Sequence, residues 1–222
     1  MPLAAPAFAD ARNNMVDSQV RPNKVNDHRI LDAMRRLPRE RFLPVAAAPL
    51  AYADCNVPLG HGRVLMQPMV IARLVQLAAV AAGERVLVVG AGCGYGAALL
   101  AACGARVTAL EEDDALLAMA RPVLAELAPS VSMVSGPLAA GWPSGAPYEV
   151  ILIEGAVHDI PPAIGEQLRK ETGRLVAVCT TNGSGGQAVL AEATWVGLRM
   201  QPKFDCATPA IPSLEPAPGF VF

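Results

Sequence analysis

Arg85-Val86-Leu87-Val88-Val89-Gly90-Ala91-Gly92-Cys93-Gly94-Tyr95 decides the fold: an apolar β run feeds three glycines spaced two apart, and then an Ala/Leu-rich helical segment. Glycine here allows dihedrals that a Cβ forbids and lets a ligand approach the main chain, while the following helix offers unpaired N–H groups at its start. Gly90, Ala91, Gly92, Cys93, Gly94 and Tyr95 therefore read as a nucleotide-cofactor loop. A second run, Arg106 to Leu110, ends in Glu111. That acid lies about 20 residues beyond Gly90, where a carboxylate can accept hydrogen bonds from a ribose diol. Glu112 adjoins it, and the acidic run Glu111 to Asp114 also has the composition of a helix start.

Working outward, short apolar runs recur at Val131 to Ser135, Glu149 to Glu154 and Arg174 to Cys179, with helical segments expected between them. Strands alternating with helices predict a parallel sheet covered on both faces. Glu154 ends the fourth run at the carboxyl edge, where open sheets bind ligands, and so joins the candidate site. From Gln187 the alternation stops, and an antiparallel finish is expected before a Pro/Phe-rich strap over 201–222, anchored by Phe204, Phe220 and Phe222. Upstream, Asp27 is placed to cap a helix carrying Ile30, Leu31, Met34 and Leu37, and Gln67-Pro68 opens another helix. The chain reads as one domain, with a helical cap and acceptor-side segment over 1–79 and a cofactor-binding core over 80–200.

Composition narrows the classes. With 53% hydrophobic residues in 222, the chain can bury a substantial core, and a net charge of −2 without a Lys/Arg block argues against nucleic acid as a partner. Five scattered cysteines lack any C-x-x-C pair or clustered Cys/His spacing, so they read as reduced thiols, and no metal site is expected. No apolar run is long enough to span a membrane and the first ten residues lack a basic start, which makes a cytoplasmic protein the expectation. His28, His61 and His158 are isolated and read as structural or surface residues.

Gly92-x-Gly94-x-x-Ala97 satisfies the loosest dinucleotide fingerprint, but the chain has little room for a second nucleotide half. No Gly-Lys-Ser/Thr follows the glycines, so a Walker loop is excluded. Five parallel runs, an acid ending the second and an antiparallel ending match the single-domain α/β methyltransferase plan that binds S-adenosylmethionine. That plan is a doubly wound, mainly parallel, seven-stranded Rossmann-like sheet.

Residues outside the loop add a resemblance. Met15-Val16, Leu37-Pro38-Arg39-Glu40-Arg41-Phe42-Leu43-Pro44, Ala51-Tyr52-Ala53-Asp54, Gln67-Pro68, Ala146-Pro147-Tyr148-Glu149, Pro161-Pro162 and Gly173-Arg174-Leu175-Val176 occur in order. With the glycine loop they make the chain resemble the protein-L-isoaspartate O-methyltransferase family over most of its length. The resemblance implies S-adenosylmethionine as cofactor and, as acceptor, the carboxylate of an L-isoaspartyl residue in a protein or peptide, esterified for repair. It puts Asp54 near the acceptor pocket. It also marks departures. Where the family reads glycine, glutamine, threonine, isoleucine, serine, this chain has Gly62-Arg63-Val64-Leu65-Met66, so Met66 replaces the hydroxyl beside the transfer site. Val88 replaces an acid before the loop, and Pro137 stands where an adenine-binding aspartate is expected, leaving Gly136 or Leu138 for the base. Two further readings use the same residues. One is a methyltransferase for another carboxylate or a small molecule, marked by Leu65 and Met66. The other is a chain without transfer activity that serves as an interaction module.

Overall fold

The computed structural model describes residues 5–180 and 186–215. Strands β3 (Arg85–Val89), β4 (Arg106–Glu111), β5 (Ser132–Ser135), β6 (Val150–Val157) and β7 (Arg174–Thr180) pair in parallel in the order β5-β4-β3-β6-β7. The sheet is completed by β8 (Gly186–Thr194), antiparallel to β7, and β9 (Gly197–Cys206), antiparallel to β8. The antiparallel finish is thus a hairpin, and β9 runs to Cys206, past the expected start of the strap at 201. A separate two-stranded hairpin, β1 (Val57–Gly60) and β2 (Arg63–Leu65), stands outside the sheet.

The order reverses between β3 and β4 on one side and β6 on the other, so the loops after β3 and β6 diverge and open a crevice at the carboxyl edge. One face of the sheet, through Val86, Val88, Leu152 and Val176, packs against helices α2 (His28–Arg36), α3 (Pro68–Ala78), α4 (Tyr95–Ala102) and α5 (Asp114–Leu127). The other face, through Leu87, Val89, Ile151 and Ile153, is covered by Leu138, Tyr148, Ile164, Ile211 and Leu214. Here the structure differs from the expectation of regular helices between all strands. Residues 136–149 form only single turns, and α6 (Pro162–Gly165) is four residues long. Pro137, Gly141, Pro143, Gly145 and Pro147 interrupt the first segment, since proline lacks the N–H that a helix interior needs.

At the N-terminal end, α1 (Ala5–Met15) runs into a wider turn, Val16–Val20. Asp27 caps α2 as expected, its Oδ1 accepting the Arg29 amide at 2.9 Å, and the helix ends at Leu37 before Pro38. Gln67 precedes α3, with Pro68 at its first position. The cap is fastened to the rest by Arg39, which is fully buried: Nε donates to the Ala51 carbonyl at 2.7 Å and Nη2 donates to the Met66 carbonyl. Its guanidinium lies over the Tyr95 ring, 4.9 Å from the centroid. Burial holds the Arg39 pKa below its ordinary value. The candidate anchors Phe220 and Phe222 lie outside the described residues, whereas Phe204 is on β9 with the Arg73 guanidinium 3.6 Å from its ring centroid.

Arg39→Met keeps the apolar stem and strands two buried carbonyls, so a loss of roughly 3 kcal/mol is expected in urea denaturation. A loss below about 1 kcal/mol would show that those carbonyls find other donors on relaxation.

Candidate cofactor and acceptor site

The site begins at the carboxyl end of β3. Gly90 and Gly94 both have positive φ, 71° and 86°. A Cβ at Gly94 would lie 2.8 Å from Leu124 Cδ1, so glycine there brings α5 against the loop as well as permitting the turn. The Gly90 and Ala91 amides both donate to the Leu110 carbonyl at 3.0 Å, fixing the loop to the neighbouring strand. Cys93 and Tyr95 belong to the loop in sequence, yet both side chains are buried beneath it. Burial pushes the Cys93 thiol up to about 12, which leaves no reactive thiolate.

Glu111 is fully buried at the end of β4. Its Oε2 accepts the Gly92 amide at 2.8 Å, and its Oε1 accepts the amides of Glu112 at 2.9 Å and Asp113 at 3.2 Å. Arg63 Nη1 donates to both oxygens, at 3.2 and 3.1 Å. The helix start that the acidic run suggested is real, but Asp113 makes it: its Oδ1 accepts the amides of Ala115 and Leu116. Its Oδ2 pairs with His61 Nδ1. Those hydrogen bonds hold the Asp113 carboxyl below its ordinary value against the opposing effect of burial, the largest single influence.

Beyond β5, Gly136 donates its amide to the Glu111 carbonyl at 3.1 Å, and Trp142 covers the site of the missing Gly136 Cβ at 3.4 Å. Pro137 is exposed. The Leu138 amide, a candidate adenine contact, donates instead to Glu112 Oε2 at 3.2 Å. A polypeptide strap then crosses the crevice. Ala156 on β6 exchanges backbone hydrogen bonds with Pro209 and Ile211, at 3.0 and 2.9 Å, and Ile211 Cδ1 comes within 2.9 Å of where a Cβ would stand at Gly90 and at Gly155. The remaining cavity of about 250 Å³ is lined by His61, Arg63, Glu111, Glu112, Asp113, Ile211, Pro212 and Ser213.

On the opposite face, Glu154 points beneath α4, where any Cβ at Gly96 would strike its carboxylate. It is buried, its Oε2 has no hydrogen-bond partner, and Arg39 Nη1 and Tyr95 Oη are likewise unpartnered. Burial raises the Glu154 pKa to about 8, against the opposing pull of Arg63 and Arg39. Glu154 thus lies beneath α4 and outside the lining of the crevice, yet close enough to feel both Arg63 and Glu111. Met66 is fully buried, and Asp54 is exposed, with its Oδ1 accepting Gln67 Nε2 at 2.8 Å. The sequence reading missed Arg63, His61 and Ile211, since nothing local marks a hairpin arginine, an isolated histidine or a tail isoleucine as partners of Glu111, Asp113 and the glycines. Among the described residues no three His, Cys, Asp or Glu side chains are grouped to hold a metal, and no helix is long and apolar enough to cross a membrane.

The donor and acceptor set fits an adenosyl cofactor, since a buried carboxylate held by backbone amides beside a glycine loop can take a ribose diol, while the space beside Gly90 and Gly155 is taken by the Arg63 and Ile211 side chains, which a bound cofactor would have to displace. The model of the protein-L-isoaspartate(D-aspartate) O-methyltransferase family matches residues 10–192. A protein-L-isoaspartate O-methyltransferase of Methylorubrum extorquens (strain PA1) is 44% identical over 83% of this chain and 80% of its own length. One from Gloeobacter violaceus is 36% identical over 86% and 93%. A solved protein-L-isoaspartate O-methyltransferase superposes with a TM-score of 0.76 at 23% identity, covering 90% of this chain and 65% of the other. A Plasmodium falciparum structure described as a β-aspartate methyltransferase in complex with S-adenosyl-L-homocysteine gives 0.74 at 15% identity, covering 90% and 97%.

The Glu154 environment yields a pH test. The unfolded chain loses this proton near the ordinary carboxylate value of 4.5, whereas the fold keeps it to about 8, so stability falls as pH rises across that window. Glu154→Gln cannot ionise and should be more stable than the parent by roughly 4 kcal/mol at pH 8, the gain falling below about 1 kcal/mol near pH 5. Urea titrations at several pH values decide this, and a gain that does not vary with pH would refute it.

Proposed function

The chain belongs to the protein-L-isoaspartate O-methyltransferase family, and from that premise we propose that it is a single-domain cytoplasmic enzyme that uses S-adenosylmethionine to esterify L-isoaspartyl carboxylates in damaged proteins. The observation that carries this reading is the extent of the match, which runs through the cap and the β1–β2 hairpin on the acceptor side as well as through the cofactor-binding strands. A generic methyltransferase core would match over the strands alone.

The cofactor supplies a methyl group on a sulfonium, an electrophile that leaves as a neutral thioether when a carboxylate oxygen takes the methyl, with no proton to move. Binding and orientation are therefore the protein's share of the work. Glu111 would hold the ribose hydroxyls, and the backbone of Gly90, Ala91 and Gly92 would border the rest of the cofactor. Gly136, Leu138 and Trp142 frame the place for the base, with Glu112 setting the position of the Leu138 amide. Ile211 and Pro212 close the crevice from above and exclude water from the reacting groups. Asp54, outside the crevice on the segment before β1, would act on the acceptor side by holding Gln67 at the start of α3. Met66 offers no hydroxyl, but a carboxylate acceptor is already a nucleophile at neutral pH and needs no base. Glu154, with a pKa of about 8, is mostly uncharged there and adds little repulsion toward an anionic acceptor.

Calorimetry with S-adenosylhomocysteine should show binding that weakens at least about tenfold in Glu111→Gln, the worth of hydrogen bonds to a charged acceptor. Isoaspartyl peptides should then release methanol after base treatment of the methylated product, whereas the matching aspartyl peptides should not. Folded protein that binds no S-adenosylhomocysteine would overturn the enzyme reading in favour of an interaction module. Binding without ester formation would overturn the acceptor.

A further inference from the structure

Arg63 is 8% exposed, and its guanidinium bridges two features that a cofactor on this fold would use. Nη1 contacts both oxygens of Glu111, and Nη2 donates to the Gly90 carbonyl at 2.5 Å. A Cβ on Gly90 would come within 2.9 Å of that same Nη2, so the guanidinium lies in the space that the glycine keeps open. Glu111 has partners of two kinds. The amides of Gly92, Glu112 and Asp113 are fixed by the loop and the strand end, while Arg63 reaches in on a long side chain from a two-stranded hairpin. Only the arginine can leave without refolding the site. A ribose diol brings two O–H donors to a carboxylate and can replace the guanidinium there.

Building on the isoaspartyl methyltransferase reading, we propose that Arg63 determines acceptor specificity: the ribose diol of the cofactor displaces its guanidinium from Glu111, and the released guanidinium then receives the acceptor's carboxylate. A desolvated guanidinium without an anion is strongly unfavourable, so displacement drives it to another partner. Glu112 and Asp113 are engaged, the first accepting the Leu138 amide and the second holding His61 and capping α5, and Glu154, unpartnered at Oε2, is kept mostly protonated by burial at neutral pH and offers little negative charge. Among the residues lining the cavity the other basic group is His61, which is tied to Asp113. Val64 and Met66 supply no hydroxyl to orient an acceptor, so the guanidinium of the same β-strand is the group left to do it. Arginine suits the task because its planar N–H fork matches a carboxylate, and contact with one oxygen leaves the other free to take the methyl group. Cofactor therefore binds before acceptor, since the acceptor's partner is released only in the first step.

Two variants test this, Arg63→Met and Arg63→Lys, each first shown to be folded by circular dichroism. Calorimetry should find S-adenosylhomocysteine bound at least about fivefold more tightly by Arg63→Met than by the parent, because the internal competitor is gone. The KM for an isoaspartyl peptide should rise at least about tenfold in Arg63→Met, with kcat within about threefold, and Arg63→Lys should recover part of the loss. Equal or weaker S-adenosylhomocysteine binding by Arg63→Met overturns the displacement, and an unchanged peptide KM overturns the capture. A parent protein that binds S-adenosylhomocysteine but esterifies no isoaspartyl peptide overturns the acceptor reading and the capture with it. The calorimetric comparison needs no acceptor, so it still decides the displacement.

Discussion

A carboxylate removed from water must have every lone pair answered, and Glu111 meets that demand with three backbone amides and a guanidinium. The requirement couples elements that share no local sequence. The glycine loop is drawn to the end of β4 through the Gly92 amide, the start of α5 is set through Asp113, and the β1–β2 hairpin is held over the crevice through Arg63. The loop is thus shaped before any ligand arrives, and binding does not have to order it. The same coupling means that the charge on residue 111 serves the fold and, in the proposed function, the ligand as well.

The glycine-loop half of the candidate site was legible as local structure because its signals are local. An apolar run into spaced glycines, an acid ending the next strand, Asp27 before a helical stripe and proline after Gln67 each act over a few residues, and each stands where the pattern placed it. The other half depends on partners far apart in the chain. Arg63 meets Glu111 across 48 residues and Gly90 across 27, and no periodicity encodes either meeting. Glu154 does not end its strand as expected, since β6 runs on to Val157, and its side chain lies beneath α4 instead of lining the crevice. The prolines of the tail pointed to a strap without showing its attachment, which among the described residues is a backbone pairing to Ala156; Phe220 and Phe222 lie outside them.

On the proposed acceptor side, Val64 and Met66 stand where the family carries hydroxyls, which changes the source of polarity. With both hydroxyls replaced, the Met66 carbonyl takes a hydrogen bond from Arg39, and Arg63 holds the Gly90 carbonyl. Arg39 and Arg63 therefore divide the work. One is a buried strut with fixed partners, and the other holds a partner that a ligand can supplant.

The strap also has a temporal meaning. Residues 209–211 pair with β6 only after β7, β8 and β9 have been made, since all three lie between them in the chain. During synthesis the glycine loop, Glu111 and the hairpin leave the ribosome well before the segment that roofs them. The crevice thus passes through an uncovered stage on every round of translation, in which its charged lining stands open and the edge of β7 is unpaired until β8 and the tail follow.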